Sequence, residues 1–172
     1  KDIGKSKVIQ AKKFLQKINN KIKVNIYKIK IVKKNIQNIM SKYDIICDCS
    51  DNFATRYLLN DFCLKNKKIL ISAAISKFEA HIFNFNFSKN IPCYRCFMPE
   101  IPTYEEKCDT EGILPTVAGI AGTLQANEVV KSILNKKNEL KGKMIAFNVL
   151  NLNFRKIKLT KNPNCTTDCK KR

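Results

Sequence analysis

The sequence predicts an α/β fold: a mixed sheet flanked by helices, parallel in its first part and antiparallel toward the C-terminus, with a structural zinc site. Continuous apolar runs at Tyr43 to Cys47 and at Ile69 to Ala74 bracket a helical pattern. A parallel strand covered on both faces reads as such a run rather than as an alternation. From Ala80 to Phe87 the pattern becomes aromatic-rich and partly alternating, the mark of antiparallel strands. Cysteines then stand in two close pairs, Cys93-Tyr-Arg-Cys96 and Cys165-Thr-Thr-Asp-Cys169.

Ser6 to Ile18 places Val8, Ala11, Phe14 or Leu15, and Ile18 at helical spacing with lysines between, which predicts an amphipathic helix. Ile22 to Tyr27 alternates as a strand, Ile29 to Val32 extends or follows it, and Asn35 to Met40 is a short helix. The chain is organised around Asp44 to Arg56, D-I-I-C-D-C-S-D-N-F-A-T-R. There a buried strand delivers acidic and amide groups at its carboxyl end. Ser50, Asp51 or Asn52 then caps a helix that turns Phe53, Tyr57, Leu58 and Phe62 inward. In open α/β sheets ligands sit beyond the carboxyl ends of strands, so Asp48, Asp51 and Asn52 stand where a ligand or metal would bind. From this stretch alone, a purely capping role for Asp51 is the preferred reading.

Lys65 to Lys68 is a polar connection, and the strand-helix-strand rhythm through Ala74 predicts a right-handed crossover between parallel strands. Cys93 to Gly112 has two prolines and no period; a loop of about 20 residues in a compact domain is usually functional. Pro115 to Leu134 resumes helix, with Val117, Ile120, Leu124, Val129, Val130 and Ile133 available for an inward face. Gly119 and Gly122 weaken that helix unless close packing or a ligand requires them. Met144 to Leu150 and Phe154 to Leu159 form a terminal hairpin, followed by a cysteine-containing tail.

The chain has 172 residues, 44% of them hydrophobic, which suits one domain with a real core. With no apolar run of membrane-spanning length and no charged-then-apolar leader, it reads as a soluble cytoplasmic protein with no membrane partner. It begins at Lys1 rather than methionine, and is read as lacking its own amino terminus. The net charge is +19, from 33 Lys+Arg against 14 Asp+Glu. Lysine supplies nearly all of it, and the arginines are Arg56, Arg95, Arg155 and Arg172, whereas base readout and bidentate phosphate contacts favour arginine. A solvated basic surface is therefore preferred over a nucleic-acid site, and such a face also suits an acidic protein partner.

Of the eight cysteines, Cys47, Cys49 and Cys63 fall at core strand and helix positions, where free thiols behave as small hydrophobes. Cys93, Cys96, Cys165 and Cys169 have the spacing by which two pairs present four thiolates to one tetrahedral ion. A closed four-thiolate shell is structural, and zinc fits it. It would pin the C-terminal tail to the loop after the antiparallel strands. Free thiols, a disulfide or an iron-sulfur cluster are the other readings of the same residues. Cys108, in K-C-D-T-E-G, is either a bystander or a loop nucleophile whose thiolate Lys107 favours and Asp109, Glu105, Glu106 and Glu111 oppose. His81, in a strand-like run, reads as structural.

These motifs in this order closely resemble the ThiF/MoeB/HesA family of adenylyltransferases, relatives of the ubiquitin-activating enzymes. The resemblance rests on D-I-G-K-S-K from Asp2, D-C-S-D-N-F-A-T-R from Asp48, S-A-A-I-S-K-F-E from Ser72 and C-Y-R-C from Cys93. It continues through C-D-T-E-G from Cys108, G-I-A-G-T-L-Q-A-N-E from Gly119 and N-P-N-C from Asn162.

It implies a Rossmann-like fold and a single ThiF-type domain over residues 1–172. The implied reaction is MgATP-dependent adenylation of the C-terminal Gly-Gly carboxylate of a ubiquitin-like sulfur carrier, of the thiamine or molybdopterin type. Lys7 matches the lysine on the ATP phosphates and Asp51 the magnesium ligand that orients the nucleotide, with Asn52 and Arg56 in support. Cys93, Cys96, Cys165 and Cys169 match the zinc ligands, with three residues in the second gap where the family usually has two. Cys108 matches a loop cysteine that links covalently to the carrier in some members, and homodimers are common.

The family's glycine-rich nucleotide loop and first βαβ unit would precede Asp2, so the chain is read as an N-terminally truncated fragment. A zinc-stabilised module that binds a ubiquitin-like partner without catalysis is the alternative, and a zinc-containing nucleic-acid binder has slight support.

Overall fold

In a computed structural model, residues 2–101, 112–167 and 169 are described. The chain divides into two compact units, Lys1–Ile31 and Val32–Arg172. The first holds helix α1 (Lys7–Ile18), none of whose residues is buried. Ile22 to Tyr27 alternates as anticipated but is not a strand. Alternation supplies only a face; a strand also requires a neighbour for its backbone groups, and among the described residues this segment joins no ladder.

The second unit opens with α2 (Ile36–Met40). Its sheet comprises β1 (Ile45–Asp48), β2 (Ile69–Ser76), β3 (Glu79–Phe85), β4 (Lys143–Asn148) and β5 (Asn153–Lys158), arranged in that order across the sheet. The β1–β2 pair is parallel, with Ile46 opposite Leu70, and the remaining pairs are antiparallel. Helix α3 (Phe53–Asn66) connects β1 to β2. A single helical turn, α4 (Tyr94–Phe97), interrupts the segment expected to be loop, and α5 (Pro115–Ile133) follows.

Strand β3 is buried on both faces, which sorts its side chains by parity. Ala80 and Ile82 join Val117, Ala121, Leu140 and Phe147 in the core beneath α5. His81, Phe83 and Phe85 point the other way, where Phe83 meets Tyr94 and Phe97 of α4 at ring separations of 5.8 and 5.3 Å.

Helix α5 turns inward Val117, Ala121, Gln125 and Glu128; of the stripe anticipated from its apolar residues, Val117 is buried and Leu124 packs against the core. Ile120, Val130 and Ile133 are exposed. The helix carries apolar residues on more than one side, so periodicity could not identify the inward face. A Cβ added at Gly119 or Gly122 would meet nothing within 4 Å, so close packing among the described residues does not account for either glycine. Cys63 is buried, with its thiol pushed up to about 12 by burial. Cys47 and Cys49 are exposed, contrary to the expectation of core positions: burial alternates along β1, and Cys47 lies on the face opposite the buried Ile46 and Asp48.

Candidate functional site

Beyond β1 the chain turns through Ser50, Asp51 and Asn52 into α3. Asp48 is buried and engaged on both oxygens: Oδ1 accepts from the Ser50 N–H and hydroxyl at 2.9 and 2.6 Å, and Oδ2 from the Ser72 hydroxyl at 2.8 Å. The Ser50 carbonyl in turn accepts from Nη2 of Arg56 at 2.7 Å. Asp48 is thus a positioning group rather than an open ligand. Asn52 caps α3 by accepting from the Thr55 N–H at 2.9 Å, and its amide donates to Oδ1 of Asp51 at 3.2 Å. With the cap supplied by Asn52, Asp51 presents an exposed carboxylate at the mouth of a cavity.

The cavity has a volume of about 350 Å³ and is lined by Asp51, Asn52 and Arg56 on one side and by β2, β3 and α4 on the others. Gly112 and Ile113 close it where Ile113 bridges Lys77. Its walls are mainly apolar and aromatic. Arg56 is only 8% exposed; its guanidinium bonds the Ser50 carbonyl and also approaches the Tyr94 hydroxyl, and among the described residues its buried Nη1 has no acceptor in full hydrogen-bonding geometry. An orphaned guanidinium nitrogen is unfavourable by the desolvation of an ionic donor, and an anion at this end of the cavity would relieve it. Burial pushes Tyr94 up to about 12 against the opposing pull of Arg56, so its phenol stays protonated. Burial lowers His81 from its ordinary 6.5, Glu79 opposes that and Arg56 adds to it.

The two cysteine pairs come together. Sγ separations are 4.0 Å for Cys93–Cys96, 3.7 Å for Cys93–Cys165, 3.5 Å for Cys96–Cys169 and 3.3 Å for Cys165–Cys169. All four are buried and mutually within 4.8 Å. A tetrahedron with metal–sulfur bonds of about 2.3 Å has edges near ~3.8 Å, so these four residues could hold a metal ion. The wider gap in the second pair is absorbed without loss of the cluster. Helix α3 fastens this knuckle: Asn60 accepts from the Tyr94 N–H at 2.9 Å, and Asp61 takes both Arg95 nitrogens at 2.9 and 2.8 Å. Arg95 also lies 4.4 Å above the Tyr57 ring, and the Tyr57 hydroxyl donates to the Met98 carbonyl at 2.8 Å. One helix therefore carries the cavity residues at its start and anchors the cysteine knuckle along its body.

Of the anticipated site residues, Asp51, Asn52 and Arg56 share the cavity and the four cysteines share their cluster. Lys7 is the exposed first residue of α1 in the Lys1–Ile31 unit, and Cys108 lies outside the described residues. Sequence reasoning missed Gln125 and Glu128. The Gln125 amide donates to the carbonyls of Asp48 and Ile71, and Glu128 accepts from Asn84 at 2.9 Å and pairs with Lys131. Their signal was phase: both stand on the helical face of Val117 and Ala121.

The family model described as ThiF family matches residues 1–167. The chain belongs to the ThiF family. It is 43% identical over 161 residues to the probable molybdopterin-synthase adenylyltransferase of Pyropia yezoensis, covering 92% of this chain and 42% of that protein. It is 38% identical over 159 residues to the adenylyltransferase and sulfurtransferase MOCS3 of Dictyostelium discoideum, covering 91% and 37%. The ThiF-family chain thus spans about two-fifths of the length of these relatives. The crystal structure of E. coli MccB with MccA-N7isoASN shares the fold, with a TM-score of 0.80 at 20% identity over 98% of this chain and 52% of that one. The mixed sheet of the ThiF-family chain is therefore the anticipated Rossmann-like type. No described helix is long and apolar enough to cross a membrane.

Proposed function

We propose that the complete protein uses MgATP to adenylate the C-terminal Gly-Gly carboxylate of a ubiquitin-like sulfur carrier, releasing pyrophosphate. Family membership and relatives named as adenylyltransferases support this reading. The observation that carries it is Arg56, a nearly buried guanidinium with an orphaned nitrogen, lining an apolar cavity whose mouth is Asp51. A side-chain-free anionic tail is the ligand such a cavity suits: apolar walls accept glycine, and the cation meets the terminal charge.

In this reading the tail carboxylate attacks the α-phosphorus, the bond to the β-phosphate oxygen breaks, and pyrophosphate leaves. No general base is needed, because a carboxylate is already ionised near neutral pH. Arg56 orients the carboxylate, Asn52 holds the start of α3 and the Asp51 carboxylate in place, and Lys7 meets the phosphates. Asp51, an exposed carboxylate with one oxygen hydrogen-bonded by Asn52, has the chemistry to hold Mg²⁺, which would supply neutralisation of phosphate charge. Zn²⁺ in the cysteine quartet would have a structural task. Cys108 is the candidate for later covalent capture of the carrier, and a homodimer is the proposed assembly.

The test is ATP–pyrophosphate exchange by the complete protein. Exchange is expected only with a carrier ending in Gly-Gly, and to be largely lost in Asp51→Ala. Turnover that does not need the carrier overturns the reading.

A further inference from the structure

His81 lines the same cavity as Arg56, yet the reaction above gives it no task. It is the only histidine of the chain. Its ring stands edge-on to Phe83 at 6.4 Å and to Phe97 at 6.2 Å, with interplanar angles of 84° and 87°. Two aromatic rings thus flank the imidazole, while no described residue hydrogen-bonds either ring nitrogen. Burial and the Arg56 cation keep it neutral, with Glu79 opposing. A neutral imidazole offers one N–H donor and one lone-pair acceptor.

A tail ending in Gly-Gly gives the enzyme no side chain to read, so it must be held by its backbone. An extended backbone presents an N–H or C=O at every step of about 3.4 Å; the side chains of Ala74, Phe97 and Ile113 cannot satisfy these groups, which leaves them to the polar part of the lining, Ser76, Tyr94 and His81 among it. A peptide amide buried against the apolar side chains without a partner is disfavoured by its uncompensated desolvation. His81 is a polar group in that wall flanked by Phe83 and Phe97, able to serve either half of a peptide unit.

We propose that His81 hydrogen-bonds the backbone of the carrier's C-terminal segment and is the positioning residue for the tail. This rests on the adenylation reading, which supplies the tail as the occupant of the cavity. It assigns His81 a role in carrier affinity, separate from ATP binding and from the chemical step.

The experiment follows the imidazole ¹H and ¹⁵N signals of the complete protein, with His81 assigned by their loss in His81→Gln. A carrier ending in Gly-Gly is expected to shift these signals, and the same carrier without its two glycines is not. In exchange assays His81→Leu is expected to raise KM for the carrier roughly tenfold, the effect of one net hydrogen bond. KM for ATP and kcat should stay within about twofold, and His81→Gln, which keeps a donor and an acceptor, should retain most of the affinity. Unmoved signals overturn the proposal even if His81→Leu raises KM, since that combination marks a structural role. Should His81→Leu not fold, the signal shift decides alone. Wild-type protein without carrier-dependent exchange brings down the adenylation reading and this proposal together, whereas exchange with unmoved signals brings down only this one.

Discussion

The side-chain amide of Gln125 donates to the backbone carbonyl of Asp48 at 3.0 Å and, through the same nitrogen, to that of Ile71 at 2.9 Å. One residue of α5 thus ties down β1 and β2 where the site begins. Its Oε1 meanwhile accepts from the Cys49 thiol at 3.2 Å. The amide thereby pairs two buried backbone carbonyls, one at the end of β1 and one within β2.

Gln125→Ala is accordingly expected to destabilise the fold by about 2–3 kcal/mol, through loss of two buried hydrogen bonds. Gln125→Glu should do at least as much harm, because it sets a carboxylate against two carbonyl oxygens. Urea denaturation midpoints check both, and a change below ~0.5 kcal/mol in either would show that the latch is energetically idle.

Arg56→Lys keeps a cation that can reach the Ser50 carbonyl but removes the orphaned second nitrogen. The variant should fold and should lose at least about 100-fold in carrier-dependent exchange, the scale on which a preorganised donor acts. Exchange near the wild-type rate would remove Arg56 from carboxylate recognition.

Cys165→Ser opens the quartet from the side of the C-terminal tail. Metal analysis of anaerobically purified wild-type protein should find about one zinc per chain, the variant should hold much less, and a strong chelator should lower the wild-type melting temperature. A wild-type protein free of metal would refute the zinc assignment. The four thiols would then be a packed but unligated cluster.

Acid sensitivity should trace in part to His81. Its folded pKa lies below the ordinary 6.5 because burial disfavours the imidazolium. Between those two values the unfolded chain binds more protons, so stability present above about pH 6.5 is lost as pH falls through the folded value. His81→Gln should remove this component, so that its urea midpoint falls less than that of wild type between pH 7.5 and pH 5.5. Parallel profiles would show that His81 does not couple to folding.

Much of this protein was legible in its sequence because the determinants are local. The apolar runs at β1 and β2, the aromatic alternation of β3, the cap at the start of α3 and the two cysteine pairs each depend on residues a few positions apart. The motif from Asp48 to Arg56 carried the cavity mouth for the same reason.

Other features depend on residues remote in sequence. That Asn52 rather than Asp51 caps α3 is a matter of turn geometry, since each has a side chain able to cap. That α5 buries Gln125 and Glu128 while exposing Ile120 and Val130 follows from what lies beneath the helix: two buried carbonyls that Gln125 pairs and the Asn84 amide nitrogen that Glu128 pairs. Cys47 lost its core position because a strand's burial is set by its neighbours, and Ile22 to Tyr27 forms no strand because, among the described residues, no ladder includes it. The sequence by itself determined the local pattern, the cysteine spacing and the family to which the chain belongs. Only the tertiary structure decided that Arg56 keeps a nitrogen without an acceptor and that His81 faces the same cavity. Burial and hydrogen-bond satisfaction are properties of the assembled sheet and its covering helices, and no single segment contains them.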